Sequence, residues 1–382
     1  MSVSPLRIVV SGSIAQYPLG GMTWHHLQYA LGLARLGHDV FYVEDTGAAP
    51  FSPLERAVRP EANLVYLDRV MARAGLADRW AYCHLQGEWR GLSDRRRASV
   101  LSSADLLVNV SGVLSRPESY RGPRLAFVDT DPVFNRMKLA RGDRAFSEMV
   151  DAHDAHFTFG ERLVGAPDTG KGTWLTTRQP IVLSEWSAAG PPRDVFSTVM
   201  NWRSRKKTGV REGREHGEKD VELLRFIDLP QLVAPAKIEL ALNHGKTDDA
   251  PVDLLLSKGW RIVDPYKACL DLDSYRDYVQ SSLAEWSVAK NGYVEGQPGW
   301  FSERSACYLA AGRPTVVQDT GFSSVLPVGE GIVAFRTVEE AAEAIRDVAT
   351  RYERHSEAAR AIAREYFDSD KVLSALVEQA LR

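Results

Sequence analysis

Residues 6–43 read LRIVVSGSIAQYPLGGMTWHHLQYALGLARLGHDVFYV, and they predict a strand, a helix and a second strand. The apolar run Leu6–Val10 is typical of a buried parallel strand. A helix from about Thr23 to Leu36 carries its apolar residues on one face and ends at Gly37. Val40–Val43 is the next strand. Such a βαβ unit is the building block of a doubly wound parallel sheet.

The length of the chain predicts two domains. Its 382 residues exceed the roughly 250–300 residues at which a single hydrophobic core stops growing. The small, Pro-rich segment 187–194 is typical of a linker, and short apolar runs that read as strands begin again at Phe196–Met200. We therefore expect an α/β domain over residues 1–190 and a second one over residues 191–362.

Composition argues against several classes of protein. The chain has 47 basic and 50 acidic residues, a net charge of −3, which gives no strong field for nucleic acid, so we expect no nucleic-acid partner. Three cysteines without CxxC spacing argue against a disulfide framework or a zinc site. The chain shows no signal-peptide pattern and no apolar stretch long enough to cross a membrane. These features predict a cytoplasmic protein without a transmembrane segment.

A second informative stretch is GQPGWFSERSACYLAAGRPTVVQDTGF, residues 296–322. It predicts a helix that begins near Ser302 and ends at Gly312, followed by a strand. Free N–H groups and the helix dipole attract anions to a helix N-terminus. Ser302, Arg304 and Ser305 are therefore candidate phosphate contacts. The alternative is a plain capped helix, with Ser302 as the N-cap and Ser305 facing solvent.

This stretch resembles the donor-binding module of glycosyltransferases with the GT-B fold, especially the retaining family-4-like group. The matching residues are Ala310-Ala311-Gly312-Arg313-Pro314 and Asp319-Thr320-Gly321, and residues 278–294 resemble the preceding strand and loop. The resemblance covers about 100 residues well and the rest loosely. It implies two Rossmann-like doubly wound domains facing a cleft, donor contacts at Thr320 and Gly321, and a C-terminal helix, 363–382, that packs back on the first domain.

The chain departs from that group at two positions. The related enzymes usually carry two glutamates eight positions apart around this helix, and here those positions are Gly299 and Cys307. A thiol does not make the charged, bidentate contact of a carboxylate. Glu303 lies four residues before Cys307, on the same helix face, and is our candidate for the missing sugar contact. The alternative is that Glu303 only complements the helix dipole.

The first strand–helix junction carries the next candidates. Gly20 and Gly21 predict a loop that lets the backbone approach a ligand, and the loop resembles the Gly-Gly-x-x-x-His entry of the same glycosyltransferases. The resemblance places the diphosphate near Gly20 and Gly21 and a functional histidine at His25. His26 falls on the apolar stripe of the helix, where a core histidine is the competing interpretation. Either imidazole is a candidate for binding the sugar, orienting the acceptor or acting as a base.

Two further groups of residues follow predicted strands. Asp129-Thr130-Asp131 forms a DxD, a pattern that holds a divalent cation in some other glycosyltransferases. We favour an acceptor contact of Asp129 over metal binding; a capped turn before Pro132 is the third interpretation. After Phe196–Met200, the resemblance implies an Arg and a Lys that neutralise the leaving diphosphate. Arg203 fits the first, and the second is Lys207, with Lys206 and Lys219 as alternatives.

The predicted function is therefore transfer of a sugar from a nucleoside diphosphate sugar (UDP, dTDP or GDP) to a small-molecule, lipid or glycan acceptor. We expect the donor as a co-substrate, no organic cofactor and no metal. Two alternatives remain open: a nucleotide-sugar epimerase of the same fold, and a non-catalytic nucleotide-sugar-binding protein.

Overall fold

The structure is a computed structural model that describes residues 5–52, 60–85, 87–162, 173–187, 190–203, 209–211, 214–244 and 249–382. The chain divides into two compact units. Unit 1 comprises Met1–Phe159, Ala166–Val182 and Asp368–Arg382, and unit 2 comprises Gly160–Gly165 and Leu183–Phe367.

The elements are numbered along the whole chain. The strands are β1 (Arg7–Ser11), β2 (Asp39–Glu44), β3 (Trp80–Cys83), β4 (Trp89–Gly91), β5 (Leu106–Val110), β6 (Arg124–Asp129), β7 (Ala155–Thr158), β8 (Trp174–Thr176), β9 (Phe196–Asn201), β10 (Gly209–Arg211), β11 (Arg214–His216), β12 (Ile238–Asn243), β13 (Arg261–Val263), β14 (Ala284–Ser287), β15 (Thr315–Gln318) and β16 (Ile332–Phe335). The helices are α1 (Gly20–Arg35), α2 (Pro60–Arg73), α3 (Asp94–Ser103), α4 (Pro132–Ala140), α5 (Arg144–Asp151), α6 (Lys219–Arg225), α7 (Leu229–Leu232), α8 (Val252–Ser257), α9 (Pro265–Ala268), α10 (Leu272–Ser281), α11 (Asn291–Gly296), α12 (Glu303–Ala310), α13 (Val338–Thr350), α14 (Tyr352–Ile362) and α15 (Ser369–Ala380).

Unit 1 is built on an eight-stranded sheet with the strand order β4-β3-β2-β1-β5-β6-β7-β8. All neighbours are parallel except β3 and β4, which pair antiparallel. Strand β1 lies between β2 and β5, so the strand order reverses there. In open α/β sheets, ligands bind beyond the carboxyl ends of the strands at such a switch point.

The core of unit 1 follows from its continuous apolar strands. Val9 on β1, Phe41 on β2 and Leu107 on β5 belong to one buried cluster on a face of this sheet. Helix α15 packs against α1, where Leu373 and Ser369 lie directly over Gly32. A Cβ at Gly32 would come within 2.5 Å of Leu373 Cδ1, so the glycine permits this close helix contact.

Unit 2 is built on a six-stranded parallel sheet with the strand order β13-β12-β9-β14-β15-β16. Strands β10 and β11 form a separate antiparallel pair. Strand β9 lies between β12 and β14, so the strand order reverses at β9. This is the second switch point. The core centres on Trp286 of β14, which stacks on Phe335 of β16 at 5.9 Å between ring centroids.

The two-domain, Rossmann-like α/β fold class expected from the sequence is confirmed. One local prediction is wrong. Gly20 and Gly21 are not in a loop but form the first turn of α1, which begins three residues before the expected Thr23. The backbone N–H groups of a first turn have no partner within the helix in any case. Glycine therefore begins a helix at less cost than it would continue one.

Candidate functional site

The carboxyl edge of unit 2 contains a concavity that is partly open to solvent. It begins where β14 ends and is closed by the start of α12 and the end of β15. Its lining residues are Lys219, Ser287, Val288, Ala289, Trp300, Phe301, Ser302, Arg304, Ser305, Val317, Gln318, Thr320 and Phe322. Two of these are cations and most of the others are neutral, so the lining suits an anionic ligand.

Arg304, on the first turn of α12, is fixed by three bonds. Its Nε donates to Glu285 Oε1 at 2.6 Å, Nη1 to the Val199 carbonyl at 2.8 Å, and Nη2 to Ser287 Oγ at 2.7 Å. The Glu285 side chain is fully buried, and although burial lowers the pKa of Arg304, its attraction to Glu285 raises it above the ordinary value. A guanidinium has five N–H donors, so two of those on Arg304 are left for a ligand.

Lys219, the first residue of α6, is the second cation of the concavity. Burial lowers its pKa well below the ordinary value, and the charge of Arg304 lowers it further, while Glu285 raises it. An anion placed here would meet Arg304 and would favour the charged form of Lys219, in a poorly solvated site where charge interactions are strong. The sequence named Lys219 only as an alternative to Lys207, and Lys207 lies outside the described residues.

The start of α12 contributes hydroxyl and backbone donors. Ser302 is the N-cap, with extended backbone and no side-chain capping bond, so its hydroxyl is not used to cap the helix. Ser305 is buried, not solvent-facing, and both serines line the concavity. Glu303 accepts a bond from the Cys307 thiol at 3.1 Å and is not among the lining residues of the concavity.

The turn after β15 closes the concavity. The hydroxyl of Thr320 donates to the Trp300 carbonyl, and Asp319 Oδ1 accepts from the backbone N–H of Gly321 at 2.9 Å. Gly321 has φ +92°, and a Cβ there would lie 2.9 Å from the Gln297 carbonyl oxygen. Gly321 is therefore required by the shape of the turn, whereas Thr320 lines the concavity.

Arg203 lies beyond the end of β9 and is paired with two carboxylates. Its Nε donates to Asp220 Oδ2 at 2.6 Å and its Nη1 to Asp249 Oδ2 at 2.5 Å. The hydrogen bond to Asp220 raises the pKa of Arg203 above its ordinary value. Arg203 is not among the lining residues of the concavity.

A buried polar network behind the concavity was missed by sequence reasoning. The Glu222 carboxylate on α6 accepts from Asn291 Nδ2 at 2.8 Å and from Gln318 Nε2 at 2.5 Å. Gln318 Oε1 in turn accepts from the Ala289 backbone N–H at 3.1 Å. The network ties α6, and with it Lys219, to the strand ends that line the concavity. An acidic residue in the apolar run of α6 was the available signal.

At the carboxyl edge of unit 1, imidazoles and hydroxyls gather where α1 meets the turns after β5 and β6. His25 Nε2 lies 3.0 Å from Ser111 Oγ, and Ser111 Oγ lies 2.7 Å from Thr130 Oγ1. His26 Nε2 lies 2.9 Å from Ser13 Oγ. Burial lowers the pKa of His25 to about 4. Burial, and to a smaller extent the neighbouring His25, lowers the pKa of His26 well below its ordinary value. Both imidazoles are therefore neutral at neutral pH.

Asp129, at the end of β6, has its carboxylate engaged by three donors. Oδ1 accepts from Asn135 Nδ2 at 2.7 Å and from the Asp131 backbone N–H at 3.1 Å, and Oδ2 accepts from Thr158 Oγ1 at 3.1 Å. Burial raises its pKa to about 6, although the bond from Asn135 opposes the shift. The bond to Asp131 forms the turn before Pro132 that the sequence offered as the third interpretation. Among the residues that the structure describes, no cluster of His, Cys, Asp and Glu is suited to a metal ion.

Comparison with solved structures identifies the fold. An α-glucosyltransferase in complex with UDP and a 13-mer DNA aligns at TM-score 0.63 and 12% identity, over 99% of this chain and 100% of that one. The Anabaena protein HepE in complex with UDP and glucose aligns at 0.60 and 11%, over 98% and 99% of the two chains. Sucrose-phosphate synthase from Thermosynechococcus elongatus aligns at 0.57 and 10%, over 98% of each chain. The fold is that of GT-B glycosyltransferases.

Comparisons of sequence add less. No protein-family model matches the chain. Phosphoribosylamine–glycine ligases of Streptococcus pyogenes are similar over 123 residues at 29% identity, which is 31% of this chain and 27% of the relative. The chain thus spans about a quarter of the length of these curated relatives.

One expectation about partners is wrong. The net charge led us to expect no nucleic-acid partner, but several similar structures of this fold are α-glucosyltransferases in complex with DNA. A net charge sums over the whole chain and does not report the local field at a binding surface, so −3 excludes no such partner. In the described part of the chain, no helix is long and apolar enough to span a membrane.

Proposed function

We propose that the protein is a glycosyltransferase that binds a nucleoside diphosphate sugar at the carboxyl edge of unit 2. The observation that carries the proposal is the pair Lys219 and Arg304 in one concavity, beside the N-terminus of α12. This lining occurs at a topological switch point of a GT-B fold, where a ligand is expected.

The chemistry of the concavity suits the leaving group of glycosyl transfer. Breaking the bond between sugar and phosphate leaves negative charge on the diphosphate, and fixed donors aimed at that charge lower the barrier. Lys219, the remaining N–H groups of Arg304 and the hydroxyls of Ser302 and Ser305 are such donors. Thr320 is the proposed contact on the opposite wall. Because these protein groups would neutralise the diphosphate without a metal ion, we propose a metal-independent reaction.

The part of the unit 1 edge that carries imidazoles and hydroxyls is proposed to bind the acceptor. His25 offers an uncharged imidazole, and Ser111 and Thr130 offer hydroxyls. Such groups exchange hydrogen bonds with a hydroxyl-bearing molecule without demanding a charge on it. His26 is fully buried, so its proposed role is to support the His25 ring, which lies 4.8 Å away between centroids. Asp129 would act through its turn, since all three of its bonds lie within the protein. Gly20 and Gly21, at the start of α1, stay proposed contacts of the donor diphosphate.

The remaining finer expectations belong to the same proposal. The family-4-like grouping, the sugar contact of Glu303 and the donor contacts of Lys207 and Gly321 are also proposed. Arg203 is not proposed as a phosphate contact, because it is paired with Asp220 and Asp249 and does not line the concavity. A reducing compartment such as the cytoplasm fits the three cysteines, which are buried and free of disulfide bonds.

The deciding experiment is a binding panel followed by a transfer assay. UDP-, dTDP- and GDP-sugars are compared by thermal shift, since a ligand that binds only the folded chain raises Tm. UDP donors come first, because two of the similar structures hold UDP. The stabilising donor is then incubated with small-molecule, lipid, glycan and duplex-DNA acceptors, with and without a chelator. Loss of transfer on chelation would contradict metal independence.

The same assay separates the alternatives. Epimerisation of the donor without acceptor would identify an epimerase. Donor binding with neither transfer nor hydrolysis would identify a binding protein, which the neutral residues at Gly299 and Cys307 make a real competitor. If no nucleoside diphosphate or its sugar shifts Tm, the assignment of the concavity is wrong.

A further inference from the structure

The turn after β5 holds a serine in a conformation that glycine prefers. Ser111 has φ +62° and the next residue, Gly112, has φ +64°. Two successive residues at positive φ are normally Gly, Asn or Asp, because a Cβ crowds the backbone there. A strained residue of this kind persists only where the surrounding structure holds it, and such residues cluster at functional sites.

The strained turn brings the Ser111 side chain to a junction of three elements. Its backbone N–H donates to the Val128 carbonyl on β6 at 2.9 Å, which holds the turn against the sheet. From there its hydroxyl lies 3.0 Å from His25 Nε2 on α1 and 2.7 Å from Thr130 Oγ1 after β6. A glycine would relieve the backbone and lose both bonds.

The hydroxyl can fix the chemical state of His25. A serine hydroxyl donates one hydrogen bond and accepts others. If it donates to Thr130, it must accept from the Nε2–H of His25, and the lone pair is then on Nδ1. Nδ1 makes no hydrogen bond to any described residue, so it is the nitrogen left for a ligand.

We propose that Ser111 is a positioning residue: its left-handed conformation places the hydroxyl where it fixes the orientation of the His25 ring and the Nε2–H tautomer, so that Nδ1 accepts a hydrogen bond from a substrate hydroxyl. This rests on the proposed function, in which unit 1 binds a hydroxyl-bearing acceptor. The groups that face the His25 ring are compatible with a neutral imidazole that accepts a hydrogen bond. The His26 ring lies 4.8 Å away and Phe159 6.5 Å away between centroids, and burial keeps the pKa of His25 near 4.

The test compares Ser111→Gly with Asp78→Gly in the full chain. Asp78 is exposed, lies between α2 and β3 and has φ +57°, so its substitution relieves the same backbone strain away from His25. Both variants are expected to keep or raise Tm. Ser111→Gly is expected to lose about tenfold in transfer, the effect of one lost neutral hydrogen bond, through a higher acceptor KM or a lower kcat with an unchanged donor KM. Asp78→Gly is expected to transfer normally.

A second measurement does not depend on activity. NMR shifts of the imidazole nitrogens, assigned by comparison with His25→Gln, report which nitrogen carries the proton. The parent and Asp78→Gly are expected to show Nε2–H, and Ser111→Gly a mixture of tautomers. A protonated Nδ1 in the parent, or an unchanged His25 signal in Ser111→Gly, would overturn the proposal. If the parent shows no transfer with any donor, the proposed function fails while the tautomer measurement still decides the role of Ser111.

Discussion

The two carboxyl edges of this protein share a topology and differ in chemistry. In the main sheet of each unit, the first strand lies between the next strand of that sheet and a later one. Polar side chains gather where the strand order reverses. Unit 1 places neutral imidazoles and hydroxyls there, whereas unit 2 places Lys219 and Arg304 there. The fold therefore selects where a ligand binds, and the residues after the strands select which ligand binds.

The difference extends to how burial acts on each edge. In unit 1, burial lowers the pKa of His25 and raises that of Asp129, so both groups shift towards their uncharged forms. In unit 2, burial opposes the charge on Arg304 but the buried Glu285 retains it. Arg304 is therefore a buried cation that one carboxylate keeps charged and that has further N–H donors. Such a group is suited to bind a dianionic ligand.

The largest effect is expected from removing Arg304, which with Lys219 forms the cationic edge of unit 2. Arg304→Ala removes the partner of a fully buried carboxylate, so we expect the free energy of unfolding to fall by about 3–5 kcal/mol. Glu285 lies 2.6 Å from the Arg304 Nε, and its side chain has no exposed surface. Urea titration measures the loss.

A double variant separates stability from ligand binding. Arg304→Met with Glu285→Gln removes both charges, and a buried pair replaced by neutral groups of similar volume is often nearly as stable. We expect most of the stability to return while donor binding stays weak. Full recovery of donor affinity in the double variant would show that Arg304 does not contact the diphosphate.

The next effect concerns Lys219. Lys219→Met should weaken donor binding by about tenfold to a hundredfold, the range for one charge-assisted hydrogen bond of roughly 1.5–3 kcal/mol. Calorimetric titration with the nucleoside diphosphate measures it. Stability should change little, because the methionine keeps the apolar stem and removes a poorly solvated ammonium. Lys258→Met is the matched control, since Lys258 pairs with the exposed Asp228 on the surface of the same unit.

The contrast between Lys219 and Arg304 shows how far the sequence reaches. Strands β1 and β2 lie within one residue of the predicted runs, because uninterrupted apolar stretches of that length mark buried parallel strands. The anion site of α12 was likewise suggested by its serines and Arg304. Sequence did not show that Arg304 is held by Glu285 and the Val199 carbonyl, since these contacts join residues 19 and 105 positions apart.

We expected Lys207, not Lys219, as the second cation for a related reason. The basic run at 203–207 directly follows β9, and adjacency to a strand favoured it as the cation pair. Helix α6 instead brings Lys219 to the concavity, and Glu222 on the same helix anchors it through Asn291 and Gln318. An acid within the apolar strand AEWS was an available signal, because a buried carboxylate needs a cation nearby.

A smaller effect should appear in the pH dependence of donor binding. The pKa of Lys219 is lowered in the free protein by burial and by Arg304, and a bound diphosphate would raise it. Affinity is therefore greatest below the free-state pKa and falls as pH rises through it, by at most about tenfold per pH unit. The fall should begin at a lower pH than an ordinary lysine gives. Lys219→Met should remove this dependence, and a parent with a flat profile up to the ordinary lysine range would contradict it.

The smallest expected effect tests whether Arg203 belongs to the cationic edge. Its side chain is 40% exposed and pairs with the buried Asp220 and with the partly exposed Asp249. Arg203 does not line the concavity, so Arg203→Met should change donor affinity by no more than about threefold. The free energy of unfolding should fall by about 1–3 kcal/mol, because the buried Asp220 loses its partner, whereas the exposed pair with Asp249 contributes little. Any weakening should come from Asp220, which adjoins Lys219 and would lose its partner. Asp220→Asn in the Arg203→Met background should then restore the parental affinity. A tenfold loss that Asp220→Asn does not restore would instead place Arg203 in direct contact with the donor and widen the cationic edge beyond the concavity.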